Sequence, residues 1–132
     1  MATPLSKKVI LIGLDCVPPE LLFDRFRDSL PNITALIDRG LSALLTSTIP
    51  PITVPAWMCM MTSKDPGTLG IYGLRNRRSN DYRSMAVANA RDVKEPKLWD
   101  WVGQAGGQVI LVGVPQTYPP PVVNGVLVSS FL

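Results

Sequence analysis

The sequence predicts an α/β protein with a mostly parallel sheet and helices on both faces of that sheet. Four short apolar segments, at residues 9–14, 41–48, 109–114 and 126–128, have the pattern of strands. Segments with helical spacing lie between them, and this alternation is typical of parallel sheets in layered α/β folds. The chain ends soon after the last predicted strand, without a polar tail or a final helix. We therefore expect a three-layer fold that is incomplete.

The composition indicates one folded domain. The chain has 132 residues, of which 46% are hydrophobic, and this is enough to build a core. Its net charge of +3 is mildly basic, and the charges are scattered apart from one arginine cluster, so a nucleic-acid partner is not predicted. The chain contains no histidine, which excludes a Ser/His/Asp triad and any His-containing metal site built from this chain alone.

The cysteines and the hydropathy pattern predict a cytoplasmic location. Cys16 and Cys59 lack zinc-site spacing, which favours free thiols in a reducing compartment. No apolar segment has the length needed to cross a bilayer. We therefore expect no membrane contact.

Residues 9–14 (VILIGL) form the first predicted strand, and Asp15 follows at its carboxyl end. Open α/β sheets bind ligands at that edge, so a carboxylate there is a candidate for chemistry. Aspartate is also a favoured N-cap, and a predicted helix follows Pro18 and Pro19. Position alone leaves the two interpretations of Asp15 equally open.

Two helices and a second strand come next. In residues 20–30 apolar side chains recur at helical spacing between charged ones, which predicts a packing helix. A second helix is predicted after Pro31, with Gly40 as its C-terminal stop. Residues 41–48 are the second predicted strand. Strand, helix and strand in this order imply a right-handed parallel crossover.

Thr53 lies in the segment STIPPITVPAW, at residues 47–57, which joins this strand to another helix. Pro50 and Pro51 lack N–H donors and cannot extend a ladder, so the chain must bend before Thr53. A hydroxyl at the start of a helix faces unpaired N–H groups and the positive end of the helix dipole. This position suits a group that meets phosphate.

The helix that follows includes Pro55 in its first turn and is apolar nearly all round, which predicts that it is buried. We expect its methionines to fill the core, where this residue type commonly packs into irregular gaps. They are Met58, Met60 and Met61.

Residues 63–91 predict an irregular excursion, because glycines and arginines replace periodic apolar residues there. The cluster of arginines in it has two interpretations, an approach to an anionic substrate or an ordinary solvated loop, and the second is the commoner. The cluster consists of Arg75, Arg77, Arg78 and Arg83.

Regular structure returns at residues 94–105, where the spacing predicts a helix that ends at Gly106 and Gly107. Its predicted apolar face consists of Leu98, Trp101, Val102 and Ala105. A strand at residues 109–114, the proline-rich loop VPQTYPPP and a strand at residues 126–128 complete the chain.

Five motifs in order carry a resemblance to a known family: VILIGLDC, LPNITALIDRG, TVPAW, GTLGIYG and VGVPQTYPPP. With these, essentially the whole chain resembles the alkaline phosphatase superfamily. The similarity is to its type I phosphodiesterase/nucleotide pyrophosphatase-like branch, including phosphohydrolases and phosphomutases. The resemblance implies that residues 1–132 are the N-terminal part of such a catalytic domain, with an irregular insertion near residues 64–93.

The same resemblance implies an activity and a site. The activity is metal-dependent hydrolysis of small phosphoric mono- or diesters through a phosphothreonine intermediate. Thr53 resembles the nucleophile that also contacts metal, and Asp15 resembles a ligand of one of two divalent ions, zinc or else manganese. A cation can stabilise the threonine alkoxide and polarise the phosphoryl oxygens. The family's remaining ligands are Asp and His residues beyond about this length, and this chain has no histidine, so we expect this chain alone to be inactive.

Departures from the family pattern narrow the specificity. Nucleotide pyrophosphatases have an asparagine that contacts the phosphoryl group where Leu74 follows Gly73 here, although Asn76 or a nearby arginine is a candidate substitute. TVPAW lacks the Cys or Ser and the Arg of sulfatases, which disfavours that activity.

Two alternatives to a hydrolase stay open. One is a phosphomutase that uses the same metal site. The other is a non-catalytic flavodoxin-like binding or interaction domain in which Asp15 and Thr53 are ordinary caps. A truncated sheet also leaves an edge and apolar faces exposed, so we expect self-association or a covering partner.

Overall fold

The computed structural model of the protein describes residues 8–77, 79 and 83–131. The described chain divides into two compact units. One unit is Ile10–Thr46, and the other contains residues 47–131. Among the described residues, no helix is long and apolar enough to cross a membrane.

The unit Ile10–Thr46 contains three short helical elements. A π-helical turn spans Leu21–Arg25, a 3₁₀ turn spans Arg27–Ser29, and helix α1 spans Pro31–Arg39. The single helix predicted at residues 20–30 is therefore divided, because Phe26 leaves the helical conformation at φ −113° and ψ 11°. Helix α1 begins at a proline and ends before Gly40, as its sequence predicts.

Residues 9–14 and 41–48 form no β-ladder, so both strand predictions and the parallel crossover between them are wrong. Their large apolar side chains are exposed, and Leu41 is exposed completely. A parallel strand needs neighbouring strands to bond its backbone and layers to cover both of its faces. An apolar run alone supplies neither of these partners.

The unit of residues 47–131 is built around helix α2, Thr53–Thr62. The short helix α3 spans Pro66–Leu69, a 3₁₀ turn spans Ala90–Asp92, and helix α4 spans Leu98–Gln104. These elements and the segments between them enclose one apolar core. Its buried side chains are Val54, Met58, Met61, Leu69, Ile71, Ala88, Val93 and Trp99.

The core confirms some predicted positions and corrects others. Met58 and Met61 are buried as predicted, but Met60 is 49% exposed. On α4 the buried residue is Trp99, whereas Trp101 of the predicted apolar face is 58% exposed. The helical spacing was right and the chosen face was wrong, because two tryptophans two positions apart lie on different sides of a helix.

The described residues also contain two small sheets. Strands β1, Arg75–Asn76, and β2, Ala86–Val87, pair antiparallel. Strands β3, Val109–Val112, and β4, Gly125–Val128, pair in parallel. The α/β class and the parallel direction of the last two strands are thus confirmed, while the three-layer arrangement remains a prediction.

The β3–β4 sheet has one exposed apolar face and one very close backbone contact. The exposed face consists of Ile110, Val112, Val126 and Val128. Gly125 lies opposite Val109 with φ +149°, and a Cβ atom at Gly125 would overlap the Val109 backbone. Only glycine fits this position, because it lacks a Cβ and tolerates positive φ.

Candidate active site

Thr53 is the first residue of α2, at the point where an extended segment turns into the helix. Ile52 before it is extended, with φ −118° and ψ 145°. The bend is held by the Pro50 carbonyl, which accepts hydrogen bonds from the Thr48 hydroxyl at 2.9 Å and from the Ile52 N–H at 3.0 Å. The predicted bend before Thr53 is therefore present, with Thr53 half-buried at its end.

Helix α2, which begins at Thr53, is anchored in the core by its buried side chains. Val54 and Met58 are fully buried, and the Ala56 N–H bonds the Ile52 carbonyl at 3.0 Å. Ile52 occupies the N-cap position and has no side-chain acceptor, so no side chain caps this end. The positive end of the helix dipole accordingly favours negative charge close to Thr53.

The turn of residues 72–76 runs beside the start of α2. Ile71, just before the turn, is buried in the same core as Val54. A Cβ atom at Gly73 would lie 3.9 Å from the Ile52 Cδ1 atom. The segment GIYG, which the resemblance places near the phosphoryl group, therefore lies next to the residue that precedes Thr53.

Asn76 closes this turn with its side-chain amide. Its Oδ1 accepts the Tyr72 N–H at 2.7 Å, and its Nδ2 donates to the Gly73 carbonyl at 2.8 Å. Both ends of the amide are thus engaged within the turn. This engagement disfavours Asn76 as a substitute for the phosphoryl-contacting asparagine of nucleotide pyrophosphatases.

Asp15 lies in an exposed turn of the unit Ile10–Thr46. The Cys16 thiol donates to its Oδ2 at 3.3 Å, and this hydrogen bond, together with the negative charge of Asp15, raises the pKa of Cys16. The next helical element has Glu20 at its N-cap and no side-chain cap. Asp15 is therefore not the cap of that element.

Neither candidate residue is an ordinary helix cap. Thr53 lies inside α2, behind Ile52, and Asp15 lies five residues ahead of the Glu20 N-cap. The capping roles that the binding-domain alternative required are absent. Because Asp15 and Thr53 belong to different units, their convergence on one site remains a prediction.

The described acidic and cysteine residues do not by themselves fit a two-metal centre. Asp15 and Thr53 offer oxygen donors that divalent cations accept. Within residues 8–77, 79 and 83–131, however, no group of three or more His, Cys, Asp or Glu side chains could hold a metal ion. Two oxygen donors fall short of the three or four protein ligands of a zinc site.

The described arginines of the cluster are on the surface. Arg75, Arg77 and Arg83 are exposed, and Arg78 lies outside the described residues. A small cavity of about 160 Å³ is lined in part by Arg77, Asn76 and Asp92. The Asp92 carboxylate offsets the arginine charge there, so this cavity does not favour an anion.

The sequence reasoning missed a buried polar loop at the carboxyl end of β3. Gln116 and Thr117 are at most 2% exposed. The Thr117 hydroxyl donates to the Val114 carbonyl at 2.6 Å and accepts the Ser130 N–H at 3.1 Å. Gln116 Nε2 donates to the Asn89 carbonyl at 3.1 Å. The only signal for these residues was their presence in the VGVPQTYPPP motif.

A hydroxyl at the start of a buried helix in a small α/β protein is compatible with the nucleophilic hydrolases. The family model for type I phosphodiesterase / nucleotide pyrophosphatase matches residues 9–124, and the chain belongs to this family. The predicted family is thereby confirmed. The family acts on small phosphoester or nucleotide substrates and is generally metal-dependent. Comparisons with curated proteins and with solved structures gave no match.

Proposed function

We propose that the protein hydrolyses phosphoric mono- or diesters with Thr53 as the nucleophile. The observation that carries the proposal is the position of Thr53 in a chain of this family. Thr53 begins a helix whose next residues, Val54 and Pro55, are buried, while Thr53 itself keeps partial exposure. A nucleophile is best held on a rigid element with its reactive atom accessible.

The reaction has two steps. Thr53 Oγ1 attacks phosphorus and loses its proton to solvent, while the bond from phosphorus to the leaving oxygen breaks and that oxygen takes up a proton from solvent to depart as an alcohol. The product on the protein is a phosphothreonine ester. Water then attacks the same phosphorus and loses a proton to solvent, and the bond from phosphorus to Thr53 Oγ1 breaks. Thr53 Oγ1 takes up a proton from solvent, which restores the hydroxyl and releases the phosphate product. The dipole of α2 favours the negative phosphoryl oxygens during both steps.

The proposal includes two divalent metal ions, zinc or manganese, with Asp15 as a ligand of one of them. The described residues do not complete such a centre. We therefore assign the remaining ligands to residues other than the described ones, and use the term holoenzyme for the form of the protein with the full ligand set. The substrate is a small phosphate ester. A cytoplasmic location agrees with the free thiols of Cys16 and Cys59.

The test compares the holoenzyme with its Thr53→Ala and Thr53→Ser variants on bis(4-nitrophenyl) phosphate. We expect Thr53→Ala to lose roughly a thousandfold or more in kcat, because a covalent nucleophile cannot be replaced by a methyl group. Thr53→Ser should retain measurable turnover and form a phosphoserine that mass spectrometry detects after acid quenching. Thr46→Ala, at an exposed threonine of the other unit, is the matched control and should behave as wild type.

Metal binding is measured separately by titration calorimetry with zinc. Asp15→Asn should weaken binding because the amide is a poorer ligand of nearly the same shape, whereas Thr53→Ala should leave it largely intact. The 132-residue chain alone should show negligible turnover. Turnover that survives Thr53→Ala in the holoenzyme would show that another group is the nucleophile.

A further inference from the structure

We infer that Asn76 is a positioning residue for Thr53, because its side chain holds the turn of residues 72–76 against the start of α2. The inference rests on the proposed function, since it assigns Asn76 a part in the reaction of Thr53. Asn76 contacts backbone atoms and not the reacting group, so its effect is exerted through the turn.

The Asn76 amide joins the turn to a β-ladder. Its two hydrogen bonds, from the Tyr72 N–H and to the Gly73 carbonyl, cross the turn from both sides. Asn76 is itself part of β1, where it pairs with Ala86 of β2. The Ala88 N–H also bonds the Leu74 carbonyl at 2.9 Å. The turn therefore has a fixed shape at the end of a paired strand.

The turn of residues 72–76 packs against Ile52, the residue from which α2 begins. Gly73 faces Ile52, whose carbonyl accepts the Ala56 N–H at the start of the helix. Ile71 on one side and Val54 on the other are buried in the same core, so the two segments cannot separate freely. If residues 72–76 lose their shape, the packing changes at the residue directly before Thr53. A misplacement of about 1 Å can reduce a reaction rate about a hundredfold.

Asn76→Ala and Asn76→Asp test this role in the zinc holoenzyme. The alanine removes both hydrogen bonds, whereas the aspartate keeps an acceptor for the Tyr72 N–H and loses the donor to Gly73. Asn124→Ala is the matched control, because the Asn124 side chain makes one hydrogen bond of the same kind, at 2.8 Å to the Gly107 carbonyl between α4 and β3. Backbone amide NMR spectra, the midpoint of unfolding and the kinetics on bis(4-nitrophenyl) phosphate are measured for each variant.

We expect Asn76→Ala to shift the amide signals of Ile52, Thr53 and Val54 and to lower kcat tenfold or more with little change in KM. Asn76→Asp should recover part of kcat. Asn124→Ala should leave both kcat and the three signals unchanged.

Two results overturn the inference. One is an Asn76→Ala variant in which the Ile52–Val54 signals do not move. The other is a variant in which they move while kcat stays at the wild-type value, which would make Asn76 merely structural. If wild-type turnover is absent or survives Thr53→Ala, the proposed function itself fails. The wild type and Thr53→Ala alone reveal that outcome, so it is distinct from a failure of the inference about Asn76. The inference about Asn76 would then also be wrong, because it rests on the proposed function.

Discussion

Replacing Met58 by alanine should destabilise the unit that carries Thr53 by about 2–4 kcal/mol. Met58 lies on α2 five residues after Thr53 and has no exposed surface. Burying a methionine side chain contributes about 1.5–3 kcal/mol by transfer from water, and the cavity that alanine leaves adds to the loss. Met61 is a flexible neighbour in the same core and can refill part of the space, so we expect the lower part of the range.

Met60→Ala is the matched control, because it removes the same atoms from the same helix. Met60 is 49% exposed, so about half of its surface already contacts water. We expect its loss to stay below about 1 kcal/mol.

Urea unfolding followed by tryptophan fluorescence measures both variants. Domains of this kind are stable by only about 5–15 kcal/mol, so a difference of 2 kcal/mol is easily resolved. Equal losses for Met58→Ala and Met60→Ala would refute the assignment of these two side chains to core and surface.

Two further predictions concern acid stability and self-association. Asp65 caps α3 by accepting the Thr68 N–H and hydroxyl, both at 2.9 Å, and these bonds lower its pKa below the ordinary 3.8. The contribution of Asp65 to stability is therefore complete above pH 3.8 and is lost as the pH falls through the lower folded-state pKa. Unfolding midpoints measured between neutral pH and pH values below 3.8 should therefore depend less on pH in Asp65→Asn than in the wild type. An identical pH dependence of the two proteins would contradict the assignment. The exposed β3–β4 face should drive self-association, so Ile110→Lys should lower the mass measured by light scattering, whereas Val122→Lys, at a residue that is 98% exposed outside this face, should not. A wild-type chain that is monomeric at every concentration would contradict this second prediction.

The correctly predicted helices and strands are those whose own residues, or the residues directly beside them, determine the local backbone conformation. Helix α1 lies between Pro31 and Gly40, and both residues act on the backbone at their own position. Helix α2 follows the proline-rich bend in the same way. The parallel pair β3 and β4 comes from compact β-branched runs with irregular chain between them.

The failed predictions depended on distant partners. Residues 9–14 are as apolar as β3, yet neither they nor residues 41–48 form a ladder among the described residues. Which tryptophan of α4 is buried depends on what packs against the helix, and the helical period alone does not determine this. The same holds for Met60, which shares residue type and helix with the buried Met58.

In the candidate site, too, the features set by neighbouring residues could be predicted, and those set by distant residues could not. The place of Thr53 at a helix start follows from local proline chemistry, so it could be predicted. The role of Asn76 could not, because its hydrogen bonds go to backbone atoms of Tyr72 and Gly73, which every residue type carries. A shared site of Asp15 and Thr53 depends on long-range geometry, and here only the family resemblance supports it.

The close contact at Gly125 restricts which residue type can occupy the start of β4. A Cβ atom at this position would overlap the Val109 backbone, and the φ of +149° is one that other residue types rarely adopt. In the observed register Gly125 pairs with Val109, Val126 with Ile110 and Val128 with Val112. A substitution at Gly125 therefore strains the first pair of the β3–β4 ladder, and a one-residue slip to relieve the strain would exchange the two faces of β4. The exposed apolar face of this sheet thus depends on a residue that contributes no side chain to it.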